Sequence, residues 1–96
     1  MTKFTLGSLV STRGVADLIE SSSEFGEFVG SCYNRYIRCD WGELDPEDVK
    51  QNDEAVKSGE DRILAAYIHP EHSDWMIWII TEWDRSVTTI LFPSEY

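Results

Sequence analysis

The chain has 96 residues, and its 18 aspartates and glutamates against 8 lysines and arginines give a formal charge of −10. This length fits one domain spanning residues 1–96, and it is too short for a methyltransferase or another doubly wound nucleotide-binding fold. The negative charge opposes direct binding to a nucleic-acid backbone or to an anionic membrane. An apolar fraction of 42% is ordinary for a folded domain and too high for a disordered chain.

Targeting signals and cysteine usage indicate the compartment. The longest apolar run, residues 75–80, is far shorter than the roughly 20 residues of a membrane helix. The N-terminus does not read as a secretion signal, and two cysteines, Cys32 and Cys39, are too few for a disulfide scaffold in a chain of this size. We therefore expect a reduced, cytoplasmic protein with no membrane partner.

The N-terminal third predicts a short strand followed by two helices. Residues 4–11 alternate weakly and predict an edge strand broken at Gly7, after which Ser11 or Thr12 can cap a short helix. The three serines at 21–23 interrupt that helix and offer a new N-cap. The next helix has an apolar stripe with the spacing of a buried face: Phe25, Phe28, Val29, Cys32 and Tyr36.

The third predicted helix has the clearest boundary signals in the chain. Asp45 is placed to cap its N-terminus, with Pro46 at the first helical position and Glu47 and Asp48 in the first turn. Gly59 is placed to end the helix in a left-handed conformation. A polar residue, Asn52, falls on its inner face, where we expect it to tie the helix to a loop.

Three strands follow, at residues 62–69, 75–82 and 86–92, and they predict an antiparallel meander. The predicted fold class is therefore α+β, with a three- to four-stranded antiparallel sheet and about three helices packed on it. The central strand is apolar on both faces, which a half-solvated sheet does not require. A homodimer that covers one sheet face is therefore an alternative prediction.

The negative charge is concentrated in residues 40–61, which we call the acidic segment. It has nine acids against two lysines, a net charge of −7, whereas residues 1–39 are neutral. Such a run is typical of a solvated helix, but it also predicts a negative surface for a basic protein partner. The candidate binding residues are those of this segment and of the following turn: Asp40, Trp41, Asp45, Glu47, Asp48, Asn52, Glu54, Glu82, Asp84 and Arg85.

No pattern in the chain predicts catalysis, a metal site or a cofactor. His69 and His72 flank the first hairpin loop without a third ligand at a familiar spacing, and no phosphate-binding loop or nucleophile motif occurs. Arg85 is open to two interpretations: it pairs with Glu82 or with an acid of the 40–48 loop, or it faces an anionic ligand. The second interpretation predicts a small-ligand or hydrolase-like pocket formed by Asp40, Asn52, Glu82, Asp84 and Arg85.

Residues 38–96 resemble the sequences of a known family. The resemblance lies in four places: Asp-Trp-Gly-x-Leu-Asp at 40–45, Asp48 and Asn52, Arg-Ile-Leu-x-Ala-Tyr at 62–67, and the block from Ile79 to Tyr96. They resemble small bacterial proteins of plasmids and integrative elements, labelled "plasmid-related" or "type I restriction methyltransferase subunit". The resemblance implies a mobile-element accessory protein. By analogy, it could blunt host defences by occupying a basic nucleic-acid-binding cleft.

Overall fold

A computed structural model describes residues 4–96. The elements are β1 (Ser8–Ser11), α1 (Arg13–Ser21), α2 (Ser23–Tyr36), α3 (Pro46–Ser58), β2 (Ile63–Ile68), β3 (Met76–Thr81), β4 (Val87–Leu91) and a short 3-10 helix at Pro93–Glu95. Three helices and a four-stranded sheet confirm the predicted α+β class. The three C-terminal strands lie one residue inside each predicted boundary.

The sheet has the order β1-β4-β3-β2 and is mixed. Strands β2, β3 and β4 form the predicted antiparallel meander. β1 pairs in parallel with β4, so the prediction of an antiparallel sheet was wrong at this edge. Parallel neighbours require a crossover connection, and here the helices and two meander strands lie between β1 and β4 in the chain. Nothing in a four-residue strand signals that direction.

The N-terminal strand is shorter than predicted. Only residues 8–11 pair in the sheet, whereas Phe4 is buried in the core. Gly7 has φ +65°, and a Cβ at this position would lie 2.3 Å from the carbonyl oxygen of Ser86. The predicted break at Gly7 is therefore a left-handed turn packed against the residues just before β4.

Helix boundaries follow the predicted caps. The carboxylate of Asp45 accepts a hydrogen bond from the Asp48 amide at 3.0 Å, and Gly59 ends α3 with φ +72°. Ser22 caps α2 by accepting from the Phe25 amide at 3.2 Å. Thr12 occupies the N-cap position of α1, but its hydroxyl donates to Glu95 at 2.5 Å and does not cap the helix.

The two sheet faces are covered differently. One face packs against the helices and forms the hydrophobic core, with Ile77 and Ile79 of β3 fully buried. The other face carries Trp78 and Ile80 of the same strand, and the ring of Tyr96 packs on Trp78 at a centroid distance of 5.6 Å. The C-terminal residues thus cover part of the face for which the sequence predicted a second subunit.

A chain of buried hydroxyl groups crosses the core. The hydroxyls of Tyr36 and Thr81 lie 2.6 Å apart, those of Thr81 and Thr88 lie 2.8 Å apart, and Thr88 donates to the Leu6 carbonyl at 2.6 Å. Because Thr88 donates its only hydroxyl proton to Leu6, Thr81 must donate to Thr88. Tyr36 in turn donates to Thr81. This chain connects α2, the two central strands and the segment before β1, and it satisfies hydroxyls that are costly to bury alone.

Candidate functional site

The acidic segment begins as a cover for the outer edge of β2. The Ala66 amide donates to the Trp41 carbonyl at 3.3 Å, and the Glu43 amide donates to the Ala66 carbonyl at 2.6 Å. Between them, Gly42 has φ +76°, and a Cβ there would lie 2.0 Å from the Ala66 oxygen. Only glycine lets the segment approach β2 this closely.

Two side chains then attach the segment to its surroundings. Trp41 is buried, and its indole N–H donates to Asp53 of α3 at 3.0 Å. The hydroxyl of the buried Tyr67 donates to the Asp40 carbonyl at 2.7 Å. Of the predicted binding residues, Trp41 therefore has a structural position in the core, and it is not exposed to a partner.

Asn52 joins α3 to the same edge of the sheet. Its amide group donates to the Leu64 carbonyl at 2.8 Å, and its carbonyl oxygen accepts from the Leu64 amide at 3.3 Å. We expected Asn52 to tie the helix to a loop. This expectation was wrong, because the side chain bonds to strand β2. This two-way pairing satisfies an edge residue of β2 as a neighbouring strand would.

The carboxylates of the acidic segment all face solvent. Every one of its nine acids is exposed: Asp40, Glu43, Asp45, Glu47, Asp48, Asp53, Glu54, Glu60 and Asp61. Only Asp40 forms an ion pair, through two hydrogen bonds of 2.8 and 3.1 Å from Arg35. These bonds hold the pKa of Asp40 below its usual value. Within residues 4–96, the other eight carboxylates have no cation within 4.0 Å.

A cleft of about 560 Å³ lies between α3 and β2. Its lining consists of acidic side chains, two leucines, two amides and an arginine: Leu44, Asp48, Gln51, Asn52, Glu54, Asp61, Arg62 and Leu64. The arginine, Arg62, donates to the Tyr96 hydroxyl at 2.5 Å and lies 5.7 Å from the centre of that ring. Its guanidinium is therefore held toward Tyr96, and the cleft keeps an acidic character.

The side chain of Arg85 stabilises the turn between β3 and β4. The Arg85 guanidinium donates to four main-chain carbonyls, those of Ala55, Asp61, Glu82 and Trp83, at 2.7–3.2 Å. Arg85 thereby fastens the turn to the C-terminal part of α3, where the Ala55 carbonyl also accepts from the Gly59 amide at 2.9 Å. It bonds to the main chain of Glu82, whereas the sequence predicted a pair with a carboxylate.

The cleft between α3 and β2 does not bring the residues of the predicted pocket together. Asp84 accepts a hydrogen bond from the Ser86 amide at 3.0 Å, and hydrogen bonds from Ser86 lower the pKa of Asp84. Asp40 is paired with Arg35 at the start of the acidic segment. Of the five residues of the predicted pocket, only Asn52 lines the cleft. The structure instead brings Asp48 and Glu54 beside Asn52.

Sequence reasoning missed five of the eight residues that line the cleft. These five lie outside the predicted set: Leu44, Gln51, Asp61, Arg62 and Leu64. In the structure Ile63 is buried in the core, and because side chains alternate along a strand, Arg62 and Leu64 face the opposite side of β2. Which element covers that side of β2 depends on the tertiary structure.

Titratable groups in the core are held in their neutral forms. Burial raises the pKa of Cys32 to about 12, and burial likewise raises the pKa values of Tyr36 and Tyr67. Between residues 4 and 96 there is no group of three histidine, cysteine or acidic side chains arranged to hold a metal ion. The described helices also include none that is long and apolar enough to cross a bilayer.

Comparison with known proteins found no matching family model, no matching curated protein and no matching solved structure. The resemblance of residues 38–96 to plasmid-related proteins therefore stays a prediction.

Proposed function

We propose that this protein is a non-enzymatic binding module whose acidic segment binds a basic surface of another protein. The observation that carries the proposal is the set of eight exposed carboxylates without an ion pair among residues 4–96. Carboxylates that are not neutralised by neighbouring cations keep their field available to a partner. Such a field speeds association with an oppositely charged surface and favours it over competitors.

The framework beneath these carboxylates supports the same proposal. The segment is fixed by main-chain bonds to Ala66, by the Asn52 pairing with Leu64 and by the indole of Trp41. A binding surface that is already ordered loses little conformational entropy when the partner arrives. The acids therefore project from a preorganised surface, not from a flexible tail.

The cleft offers an anchoring position for one basic side chain of the partner. Leu44 and Leu64 provide apolar surface for the methylene stem of a lysine or arginine, while Asp48 and Glu54 provide carboxylates for its charged end. Buried or partly buried anchors of this kind contribute most of the affinity in many interfaces. We expect the strongest mutational effects on binding at these positions.

The cellular role follows only from the resemblance. We propose a cytoplasmic accessory protein of a mobile element, whose partner is a nucleic-acid-binding or host-defence protein with a basic cleft. The protein itself would not contact nucleic acid directly, because its charge repels the phosphate backbone.

Affinity capture from the native host, followed by titration with the purified partner, tests the proposal. The test variant reverses three exposed acids of α3, through Glu47→Lys, Asp48→Lys and Glu54→Lys. We expect at least about a hundredfold loss of affinity, and wild-type binding that weakens steeply with salt. If the acids formed only isolated, solvent-exposed ion pairs with the partner, the loss of affinity would be much smaller.

The matched control changes the net charge equally on other helices. It combines Asp17→Lys, Glu20→Lys and Glu27→Lys, all exposed on α1 and α2. The control should retain most of the affinity, since the proposal depends on where the charge lies. Equal losses in the two triple variants, or binding that salt leaves unchanged, would refute the proposed surface.

A further inference from the structure

Strand β1 is an open edge of the sheet with exposed side chains on both faces. All four of its residues are exposed, including Leu9 at 48% and Val10 at 44%. The strand contains no charge and no proline, which are the usual devices that prevent an edge strand from pairing with another chain. An added strand beside β1 would bury apolar surface on both faces of the sheet.

The free hydrogen-bonding groups of this edge can be assigned from the ladder. The amides of Ser8 and Thr12 both donate to the β4 side, to the carbonyls of Ser86 and Ile90. Alternation along a strand therefore points the main-chain groups of Leu9 and Ser11 outward. Among residues 4–96, no main-chain or side-chain partner bonds to these two residues from the outer side.

The spacing of those outward groups fits a second copy of the same strand. If two β1 strands run antiparallel about an axis at Val10, Leu9 of each copy faces Ser11 of the other and Val10 faces Val10. This register forms about four inter-chain hydrogen bonds and keeps matching sheet faces on the same side. A register centred one residue earlier would need Leu9 opposite Leu9 and Gly7 opposite Ser11, and the left-handed Gly7 cannot extend the ladder.

Charge placement also favours a second copy at this edge. The acidic segment covers β2, at the opposite end of the sheet order β1-β4-β3-β2. Pairing through β1 therefore keeps the two acidic segments at the far ends of the assembly, although each chain has a charge of −10. A dimer through any surface near α3 would bring these segments together and would be opposed by their repulsion.

We propose that two copies associate through antiparallel pairing of β1 with β1, forming one continuous eight-stranded sheet. The contact is small, so the dimer is a weak one that forms at high protein concentration. Salt screens the residual repulsion between the copies, and dimerisation therefore strengthens as salt is added. Binding of a basic partner has the opposite salt dependence, so failure of one proposal is distinguishable from failure of the other.

Paired charge substitutions at Val10 test this register. Analytical ultracentrifugation of the full chain, over about two decades of concentration, should show the average mass rising above 11.1 kDa. Val10→Lys and Val10→Glu each place like charges opposite each other, and we expect each variant alone to lose about fivefold or more in dimer affinity. An equal mixture of the two variants should recover the dimer as a heterodimer.

Ile68 provides the matched control at the opposite edge. It is exposed on the same sheet face as Val10, and Ile68→Lys and Ile68→Glu change the net charge equally. These variants should dimerise like the wild type. Hydrogen exchange adds a direct readout, since the Leu9 and Ser11 amides should gain protection with concentration while the Ser8 amide, already bonded to Ser86, should not change.

Three results would overturn the proposal. The first is a monomeric wild type at every concentration. The second is a dimer that the Val10 and Ile68 substitutions affect equally, which would assign it to another surface. The third is a mixture of Val10→Lys and Val10→Glu that stays monomeric under conditions in which the wild type dimerises.

Discussion

The two edges of the sheet differ in how their main-chain groups are satisfied. At the β2 edge, the chain itself supplies partners, from Trp41 and Glu43 to Ala66 and from Asn52 to Leu64. At the β1 edge, no described residue covers the strand, and Leu9 and Val10 remain exposed. The acidic segment therefore has two roles: it closes one edge against unwanted pairing, and it presents carboxylates outward from that closed edge.

The comparison also separates two kinds of residue within the acidic segment. Gly42, Trp41 and Asn52 hold the segment against the sheet, whereas Glu47, Asp48 and Glu54 face solvent. Substitutions of the first kind should lower the free energy of unfolding. Substitutions of the second kind should act mainly on binding, with a cost in stability of about 1 kcal/mol or less each where an acid of the first turn of α3 is lost.

The largest expected effect comes from opening the covered edge at Gly42. In Gly42→Ala, the new methyl group would lie 2.0 Å from the Ala66 carbonyl oxygen at a residue with φ +76°, so main chain must move. We expect the free energy of unfolding to fall by about 3 kcal/mol or more, measured by urea denaturation followed by tryptophan fluorescence.

Gly30→Ala is the control for that experiment. Gly30 lies in α2 with nothing within 4 Å of the added carbon, and alanine there should stabilise the protein by about 0.5–1 kcal/mol. If the two substitutions change stability alike, the close approach at Gly42 does not hold the segment on β2.

A smaller effect is expected from removing the side chain that replaces a neighbouring strand. Asn52→Ala leaves the Leu64 amide and carbonyl without their partner, which should lower the free energy of unfolding by about 1–3 kcal/mol. Asn52→Asp keeps an acceptor for the amide but places a carboxylate against the carbonyl, so it should also destabilise.

Gln51→Ala changes the adjacent, exposed residue and should stay within about 0.5 kcal/mol of the wild type. Thermal unfolding of the three variants under one buffer condition provides the comparison. Equal stability of Asn52→Ala and Gln51→Ala would mean that the edge pairing contributes nothing.

The smallest expected effect concerns pH and the ion pair at the start of the acidic segment. Hydrogen bonds from Arg35 lower the folded-state pKa of Asp40 from its ordinary 3.8. The stabilisation is therefore present above pH 3.8 and is lost as the pH falls through the lower folded-state value. Because the Asp40 side chain is 53% exposed, the pair contributes no more than about 1 kcal/mol.

Asp40→Asn should remove this part of the acid sensitivity while keeping the acceptor for the Gly42 amide. Urea denaturation at neutral pH and near pH 3 measures the stability of both proteins. The stability difference between wild type and variant should shrink in acid. Glu43→Gln is the matched control, since Glu43 forms no ion pair with any residue of the described chain. A constant difference across this pH range would show that the Arg35 pair does not contribute.

The sequence predicted well the features that depend on neighbouring residues. The bounds of α3 followed from Asp45, Pro46 and Gly59 because capping bonds join residues three or four apart. The meander followed from alternation and turn residues for the same reason. Asn52 bonds to strand β2, 12 positions away, where the sequence predicted a loop. Arg85 bonds to main-chain carbonyls, two of them 24 and 30 positions away, where the sequence predicted a carboxylate, because such distant partners leave no local signal.

By itself, the sequence determined the class of the fold, the element order and the concentration of charge in residues 40–61, since local periodicity and composition encode all three. Only the tertiary structure decided that β1 lies parallel to β4, that the acidic segment covers β2 and that Asp48 and Glu54 share a cleft with Leu64. These features depend on which distant main-chain groups find partners. Many pairings satisfy that requirement locally, and only packing of the whole chain selects one of them.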